Sequence, residues 1–544
     1  MSAPVRTAFF GALVAALATL PGLGTGTLWD NSETAYGEVA REILLTHNWV
    51  VMHFNGAPWF VQPPLYFWIA ALFAKIFGVG PFALRLPSAL ATIAMGAATG
   101  YATATLAGSR AGLYSALILS TSLMQAVLGR LAIMDALLDL AVAAGILALF
   151  RAFTGGRPVA AVIGAAIAIG LGVLVKGPVA LAIVVLVIVP WLLIERVAGT
   201  RLVAPPPWLW FAGLLVLVAI DAPWFALLAR DAGPAALTRL IGHYTFGRYV
   251  GTIENQSGPV WYYVPVLILG FFPWIAFLPG AIALAWRTAR VPDGLAAHVA
   301  RLALVWTVVP FVFFSFAQTK LPNYVALELP ALAVLVALWF DRVAAGDRRR
   351  GALIATGVVP LSIGAVAIAI ALYARDAHLI AGTEAVMSAL LVMGAIIFVG
   401  SIVTFVLLWL GRGVVAPYVF ASTTLLMVAY TAIVAEPHAE RFKPVPQLAA
   451  IIRENDRAGD VVAIHDAGGA NALVFYTQPH VYVIGEEGDV RGVVCSAQRV
   501  FVVTSKRRAE RPSYGRTRRL LGAADNDVLY LYDGSPCGNL RARL

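Results

Sequence analysis

Cysteine is nearly absent from this chain. Of 544 residues only two are cysteine, Cys495 and Cys537, which excludes a disulfide-stapled scaffold and a cysteine metal cluster. Both lie near the C-terminus, so one disulfide would form there if that segment faces an oxidising compartment. Charge is also scarce: 12% of residues are Asp, Glu, Lys or Arg, against roughly 25% in soluble domains. A nucleotide fingerprint is missing, because DAGGAN at 466–471 lacks the GxGxxG spacing and the helix after it is doubtful from sequence. No repeat of two interrupted helical halves is visible, which argues against a transporter or lipid flippase.

What is present is apolar sequence. The chain is 60% hydrophobic with a mean hydropathy of +0.82, the composition of a polytopic α-helical membrane protein. Runs long enough to cross a bilayer fall near 7–25, 84–107, 111–129, 131–150, 158–175, 177–194 and 207–228. Others fall near 259–286, 300–318, 322–340, 351–373, 385–410 and 414–434, giving about thirteen transmembrane helices. Leu65–Phe77 is shorter and carries Lys75, which suits an interfacial helix. The first run has no convincing cleavage site before Trp29, so an uncleaved first helix is predicted.

The formal charge of +10 is read through topology before any nucleic-acid partner is considered. Arg6, Arg110, Arg151, Arg157, Arg196, Arg201, Arg287, Arg290, Arg342, Arg348–Arg350 and Arg412 all fall in loops on one side of the predicted spans. The positive-inside rule makes that side cytoplasmic, with the N-terminus there and the C-terminal tail outside. The basic residues thus serve as loop anchors, and no nucleic-acid partner is expected.

The longest polar interruption of the membrane part runs from Leu28 to Leu90 and holds Asp30, Glu33, Glu38, Arg41, Glu42 and Gln62. Loops that long are usually functional, and this one falls on the predicted outer side. Other polar residues fall on the same side: Arg130 and Asp135, Lys176 in VKGP, His243 and Arg248, and Lys320 in TKLPNY. Ionisable residues at membrane depth are costly and tend to mark a site.

Each has a plain structural reading beside the functional one. Asp30 and Glu33 have the spacing of a helix cap and its return carboxylate, or of two acids sharing one face. Lys176 and Lys320 end apolar runs and could simply snorkel. Arg130 and Asp135 suit a structural ion pair as well as they suit catalysis. His243 with Glu33 leaves a divalent metal open, although a lone loop histidine is usually solvated. Glu328 either faces a cavity or pairs internally. Arg507, Arg508, Arg511, Arg516, Arg518 and Arg519 form a basic surface, either a solvated face or one drawn to anionic headgroups or glycan.

From about Glu436 the composition changes to an amphipathic helix followed by VVAIH, ALVFYT, HVYVIG, RVFVVTS and DVLYLYDG. These short apolar runs bounded by Gly, Asp and Ser read as strands, giving a small α/β domain. The predicted organisation is a membrane domain over 1–435, with its long loop at 28–83, and an α/β domain over 436–544.

The ordered motifs ETAYGEVAREIL, NWVVMHFNGAPWF, QPPLYFW, RLPSAL, GRLAIMDALL, LVKGPVA, PVWYYVPVLILGFFPW and KLPNYVALELPAL carry a resemblance. They resemble the GT-C glycosyltransferases that use a polyprenyl-phosphate sugar donor. The branch is that of the lipid A aminoarabinose transferase, with protein O-mannosyltransferases more distant. The resemblance implies a GT-C membrane fold, a bacterial inner-membrane location, a periplasmic C-terminal domain, and transfer of a sugar from polyprenyl phosphate to a lipid or glycan acceptor. That acceptor would be lipid A or another cell-envelope glycan, and the surrounding membrane lipids would be partners too. It also implies that Asp30 activates the acceptor with Glu33 as its partner, and that Lys176, Arg248 and Lys320 hold the phosphate near Asn323 and Tyr324. Tyr36, Gln62, Arg130, Asp135 and His243 complete the expected substrate site. A glycan polymerase or ligase and a protein glycosyltransferase of the same fold are the alternatives.

The sequence also departs from that branch. Its adjacent Asp-Glu is split here as Asp30-Asn31-Ser32-Glu33, and Ala35 stands where it has arginine before Tyr36. Val61-Gln62 replace its Glu-Lys before Pro63 and Pro64. The sugar and acceptor of that branch are therefore not carried over.

Overall fold

Long apolar runs with few charges leave their backbone no partner but itself, so they fold as helices. The computed structural model describes residues 1–29, 32–252, 256–346, 364–365, 368–369, 372, 384–477, 480–485, 490–508 and 516–534. Among these, nine helices are long and apolar enough to cross a membrane. The first seven in sequence that matter for the site are α1 (Ala3–Thr19), α2 (Ser32–Thr46), α3 (Leu65–Phe77), α4 (Pro81–Ala107), α5 (Ser109–Ser120), α6 (Leu123–Leu128) and α7 (Asp135–Phe153). They are followed by α8 (Pro158–Lys176), α9 (Val179–Val197) and α10 (Pro207–Ala232). The predicted span at 351–373 lies almost wholly outside the described residues.

Two expected spans are broken, and the breaks serve each other. The 111–129 run stops after Ser120 and resumes at Leu123, where the Thr121 and Ser122 hydroxyls donate back to the carbonyls of Leu117 and Ile118. The 259–286 run bends by 105° between Val260–Gly270 and Trp274–Ala289, at Pro273, whose missing N–H and restriction of the preceding residue end a helix. The amide of Leu123 donates to the carbonyl of Phe272 at 3.0 Å, and the indole of Trp274 donates to the Thr121 hydroxyl at 3.0 Å. Groups freed at one interruption thus satisfy those freed at the other. Apolarity predicted both runs; the local hydroxyls and proline broke them.

The chain forms two compact units. One comprises residues 1–23, 60–69 and 85–435. Here α1 meets α4 through small residues: a Cβ on Gly11 would lie 2.4 Å from the carbonyl oxygen of Gly96, so only glycine permits this approach. A buried ionic network ties the end of α9 to Leu295–Phe316. Glu195, fully buried, accepts from Arg301 at 2.6 Å, from Trp191 at 3.0 Å and from Thr200 at 2.9 Å, and lies 2.9 Å from His298.

The other unit comprises residues 24–59, 70–84 and 436–544. Its five-stranded sheet contains β3 (Val461–His465), β4 (Val481–Ile484), β5 (Arg499–Ser505), β6 (Thr517–Ala524) and β7 (Asp527–Asp533) in the order β4-β3-β5-β7-β6. β3 is parallel to both β4 and β5, and the β6–β7 hairpin adds antiparallel to β5. ALVFYT, read from sequence as a strand, is instead the end of the helix Ala470–Thr477. A short apolar run does not distinguish the two states, and parallel β3 and β4 require a crossover. That helix follows DAGG directly, which the sequence left doubtful. Leu473 and Val474 pack with Leu448 and Ile452 of Pro444–Asn455 on one sheet face. Val490, Val493 and Val494 cover the other.

The long loop begins in this second unit. The N–H of Leu28 donates to the Tyr476 hydroxyl at 2.6 Å, and a Cβ on Gly37 of α2 would press on Leu84, Phe475 and Leu28. A hairpin of β1 (His53–Phe54) and β2 (Ala57–Pro58) turns through Asn55-Gly56, both at positive φ, the preference of a two-residue turn. The carboxylate of Glu42 holds that turn by accepting from Gly56 N–H at 3.0 Å. Cys495 is buried and disulfide-bonded, while Cys537 lies outside the described residues. The basic surface read from sequence is partly internal. Arg516 is buried and donates to the carbonyls of Val494, Ala497, Gln498 and Gly534. Arg508 pairs with Asp466, and Arg518 lies 4.4 Å from the Tyr530 ring centre.

Candidate active site

In the membrane unit the antiparallel course of the chain brings Asp135 at the start of α7 to Lys176 at the end of α8. Each charge suits its helix end, an anion at the N-terminus and a cation at the C-terminus. The two meet at 2.5 Å, with side chains 8% and 12% exposed. One turn further into α7, Asp139 is buried, and one of its carboxylate oxygens has no hydrogen-bond partner among the described residues.

These three side chains line a cavity of about 310 Å³. Gln62 enters from the segment before α3. Tyr244, Phe246, Arg248 and Tyr249 come from a π-helical stretch, Thr238–Gly247, and the short helix after it. Phe313 and Phe314 end the helix Leu295–Phe316, and Asn323 and Tyr324 open the next, which begins as a 3₁₀ turn at Pro322. The rings are packed in series: Tyr249 stacks on Phe313 at 4.8 Å, and Phe314 tilts against Tyr324 at 4.6 Å. Lys176 Nζ lies 5.2 Å from the centre of the Tyr324 ring, and the Arg248 guanidinium 6.0 Å from that of Tyr244. A mostly apolar, aromatic chamber with two cations on its wall suits an anionic head joined to a hydrocarbon tail.

Six residues singled out in the sequence therefore share this wall: Gln62, Asp135, Lys176, Arg248, Asn323 and Tyr324. The others stand elsewhere. Asp135 takes Lys176 as its partner, not Arg130, which donates to the carbonyls of Thr19, Pro21 and Gly22 after α1. Those carbonyls are left over at a helix end, a demand that no spacing in the sequence reveals. Lys320 is buried and donates to the carbonyls of Phe314 and Ser315 at 3.0 and 2.6 Å. Burial holds its ammonium below the ordinary lysine value. His243 is exposed, with its ring 4.8 Å from that of Tyr244. No three His, Cys, Asp or Glu side chains come together for a metal ion among the described residues. Glu328 is buried, with one carboxylate oxygen lacking a partner among the described residues.

Three expected residues belong to the other unit. Asp30 lies outside the described residues. Glu33 is buried in the first turn of α2 and accepts from Trp29 N–H at 2.8 Å, the reach-back half of a cap. Tyr36 meets Trp59 edge-on at 6.3 Å. Further along α2, Arg41 grips Glu38 with both forks at 2.8 and 2.5 Å. Burial nonetheless pushes the Glu38 carboxyl up to about 7, helped by Glu42 and opposed by Arg41.

Asp139, Tyr244 and Tyr249 were missed from sequence. Asp139 had a readable signal, an acid four residues after Asp135 in an apolar helix. The tyrosines had none beyond their nearness to Arg248.

Residues 61–225 match the family of dolichyl-phosphate-mannose-protein mannosyltransferases. The undecaprenyl phosphate-alpha-4-amino-4-deoxy-L-arabinose arabinosyl transferase of Edwardsiella ictaluri is 30% identical over 62% of this chain and 59% of its own length. That of Erwinia tasmaniensis is 30% identical over 66% and 64%, and a second such protein of Proteus mirabilis 33% over 58% and 56%. The matched part thus spans about three fifths of these curated relatives. ArnT from Cupriavidus metallidurans, solved with undecaprenyl phosphate bound, superimposes with a TM-score of 0.81 at 22% identity, over 98% of this chain and 99% of that one. The oligosaccharyltransferase AglB of Archaeoglobus fulgidus gives 0.51 at 12% identity, over 92% and 69%. The chain is a multi-span membrane protein of the GT-C fold, related in sequence to the aminoarabinose transferases.

Proposed function

We propose that this protein is a membrane glycosyltransferase that moves a sugar from a polyprenyl-phosphate donor to a lipid or glycan acceptor in the cell envelope. The observation that carries the reading is the cavity itself, where Lys176 and Arg248 stand on an aromatic wall within a membrane unit. Relatives named for undecaprenyl-phosphate sugar transfer support it.

The acceptor oxygen bonds to the anomeric carbon as the bond from that carbon to the phosphate oxygen breaks. The bonding pair leaves with the polyprenyl phosphate, so direct displacement inverts the anomeric centre. Lys176 and Arg248 stabilise the charge gathering on the phosphate. Asp135 orients Lys176, and the ring-lined wall keeps water from competing. Where the acceptor is a hydroxyl, Asp30 is the general base that takes its proton, with Glu33 as its partner. Lys320 contributes by anchoring the chain before Asn323 and Tyr324.

The site faces the periplasm of a bacterial inner membrane, with the N-terminus cytoplasmic and the α/β domain over 436–544 outside. Arginines gathered on one set of loops and the disulfide at Cys495 support that orientation.

The test is transfer from membrane-extracted polyprenyl-phosphate sugars by purified wild type and Asp30→Asn, with folding checked in both. Loss of transfer with retained donor binding is expected. Full activity in the variant removes Asp30 from catalysis. A wild type that moves lipid between leaflets without transferring sugar overturns the enzyme reading.

A further inference from the structure

One acid on the cavity wall has no part in the displacement. Asp139 lies one turn beyond Asp135 in α7, a rise of about 6 Å into the membrane. It is 2% exposed, and its carboxylate oxygen without a hydrogen-bond partner among the described residues belongs to a side chain that borders the chamber beside Leu138. A buried acceptor left unsatisfied is costly, more so when charged, and calls for an explanation. The ligand that fills the chamber is the remaining source of a partner.

The groups around it set what that ligand can offer. Its own helix brings Asp135, and α8 brings Lys176, which Asp135 engages at 2.5 Å. The stretch Thr238–Gly247 and the short helix after it bring Tyr244, Arg248 and Tyr249, and the 3₁₀ turn brings Tyr324. That turn ends in Glu328, while α9 lines the chamber with Val179 and Ala182 and keeps its Glu195 and Arg196 at the far end. Among the described lining residues, two cations thus stand against two acids. With both acids charged, the wall has no surplus positive charge for a phosphate. With a proton on Asp139 it has a surplus of one, and Asp139 becomes a donor.

Depth selects the partner. The sugar stays on the outer side, where an acceptor reaches it, so the part of the donor that can meet a polar group one turn below Asp135 is its phosphate. An anion and a carboxylate repel, and they share a wall only with a proton between them. We infer that Asp139 is a further donor-binding residue, which keeps a proton and gives its O–H to a phosphate oxygen of the lipid-linked sugar. The inference rests on the reading that a polyprenyl phosphate enters this chamber. The proton stays on Asp139 throughout and takes no part in bond making or breaking.

Undecaprenyl phosphate is titrated calorimetrically into full-length wild type, Asp139→Asn and Asp139→Leu in detergent at neutral pH, and infrared difference spectra are taken with and without the lipid. In wild type the carbonyl stretch of a protonated carboxyl is expected to move to lower frequency as the lipid binds, and that change should be missing from Asp139→Asn. Asp139→Asn, whose amide still donates, should bind within about threefold of wild type, and Asp139→Leu roughly tenfold more weakly or worse. A brace within α7 would leave the spectrum unmoved, and the spectrum decides even where Asp139→Leu fails to fold. The inference falls if the shift is absent from wild type, if it survives in Asp139→Asn, or if a folded Asp139→Leu binds as wild type does. It falls too if Asp139→Asn binds about tenfold more tightly, because wild type then presents a charged carboxylate to the phosphate. A wild type that does not bind the lipid removes the donor reading of the chamber as well, whereas binding without the shift removes Asp139 alone.

Discussion

Replacing Lys176 with methionine separates the two tasks that the Asp135–Lys176 pair performs. The pair is 2.5 Å long and almost wholly buried, so the variant leaves Asp135 charged, unpaired and one turn from Asp139. Removing one partner of a buried ion pair costs about 3–5 kcal/mol. Removing both, as Asp135→Leu with Lys176→Met, is often neutral because neither charge then needs compensation. Stability followed by SDS titration should therefore fall in Lys176→Met and recover in the double variant. Donor affinity should behave differently. A charge-assisted contact to the phosphate contributes about 1.5–3 kcal/mol, so undecaprenyl phosphate should bind roughly ten- to a hundredfold more weakly in both variants. Isothermal titration of each purified protein with undecaprenyl phosphate gives the comparison. If the double variant regains wild-type donor affinity, the pair is only a brace between α7 and α8, and the phosphate is held by other groups.

Two further outcomes follow from buried carboxylates outside the cavity. Because Glu38 titrates near 7 in the fold, up from 4.5, the folded state holds its proton longer than the unfolded one between those values. That stability is present below about 4.5 and lost as pH rises through 7, so the wild-type melting temperature should drop between pH 5 and pH 8, and Glu38→Gln should flatten the drop. Glu195→Leu should cost about 3–5 kcal/mol in the SDS titration by stranding Arg301, with undecaprenyl phosphate affinity unchanged. An altered affinity there would mean that the network shapes the cavity from the other end of the helices.

Much of the site was legible because membrane insertion penalises charge. Asp135, Lys176 and Arg248 stood out against apolar sequence, and their loops fell on one side by counting spans, so their meeting in one wall follows from topology. What was not legible depends on tertiary demand. Arg130 and Lys320 looked like site cations, yet their visible hydrogen bonds serve carbonyls left over at helix ends, which sequence spacing does not display. The breaks at Thr121 and Phe272 are similar, since each interruption is tolerable only because the other lies against it. ALVFYT was misread because a six-residue apolar run carries too few turns to reveal its period. Only the parallel pairing of β3 with β4 requires a helix there.

The Glu195 network also has a temporal side. Its carboxylate precedes Arg301 by 106 residues, so at about 5–20 residues per second a growing chain carries it uncompensated for roughly 5–20 s. Asp135 precedes Lys176 by only 41 residues, a wait of roughly 2–8 s at the same rates. The α7–α8 hairpin can neutralise itself while still emerging from the ribosome. Helix α9 cannot, and must rest with its acidic end in the headgroup region until the later helix arrives. Biogenesis of this protein therefore has a built-in order, with the α7–α8 hairpin closing first and the Glu195 network locking last.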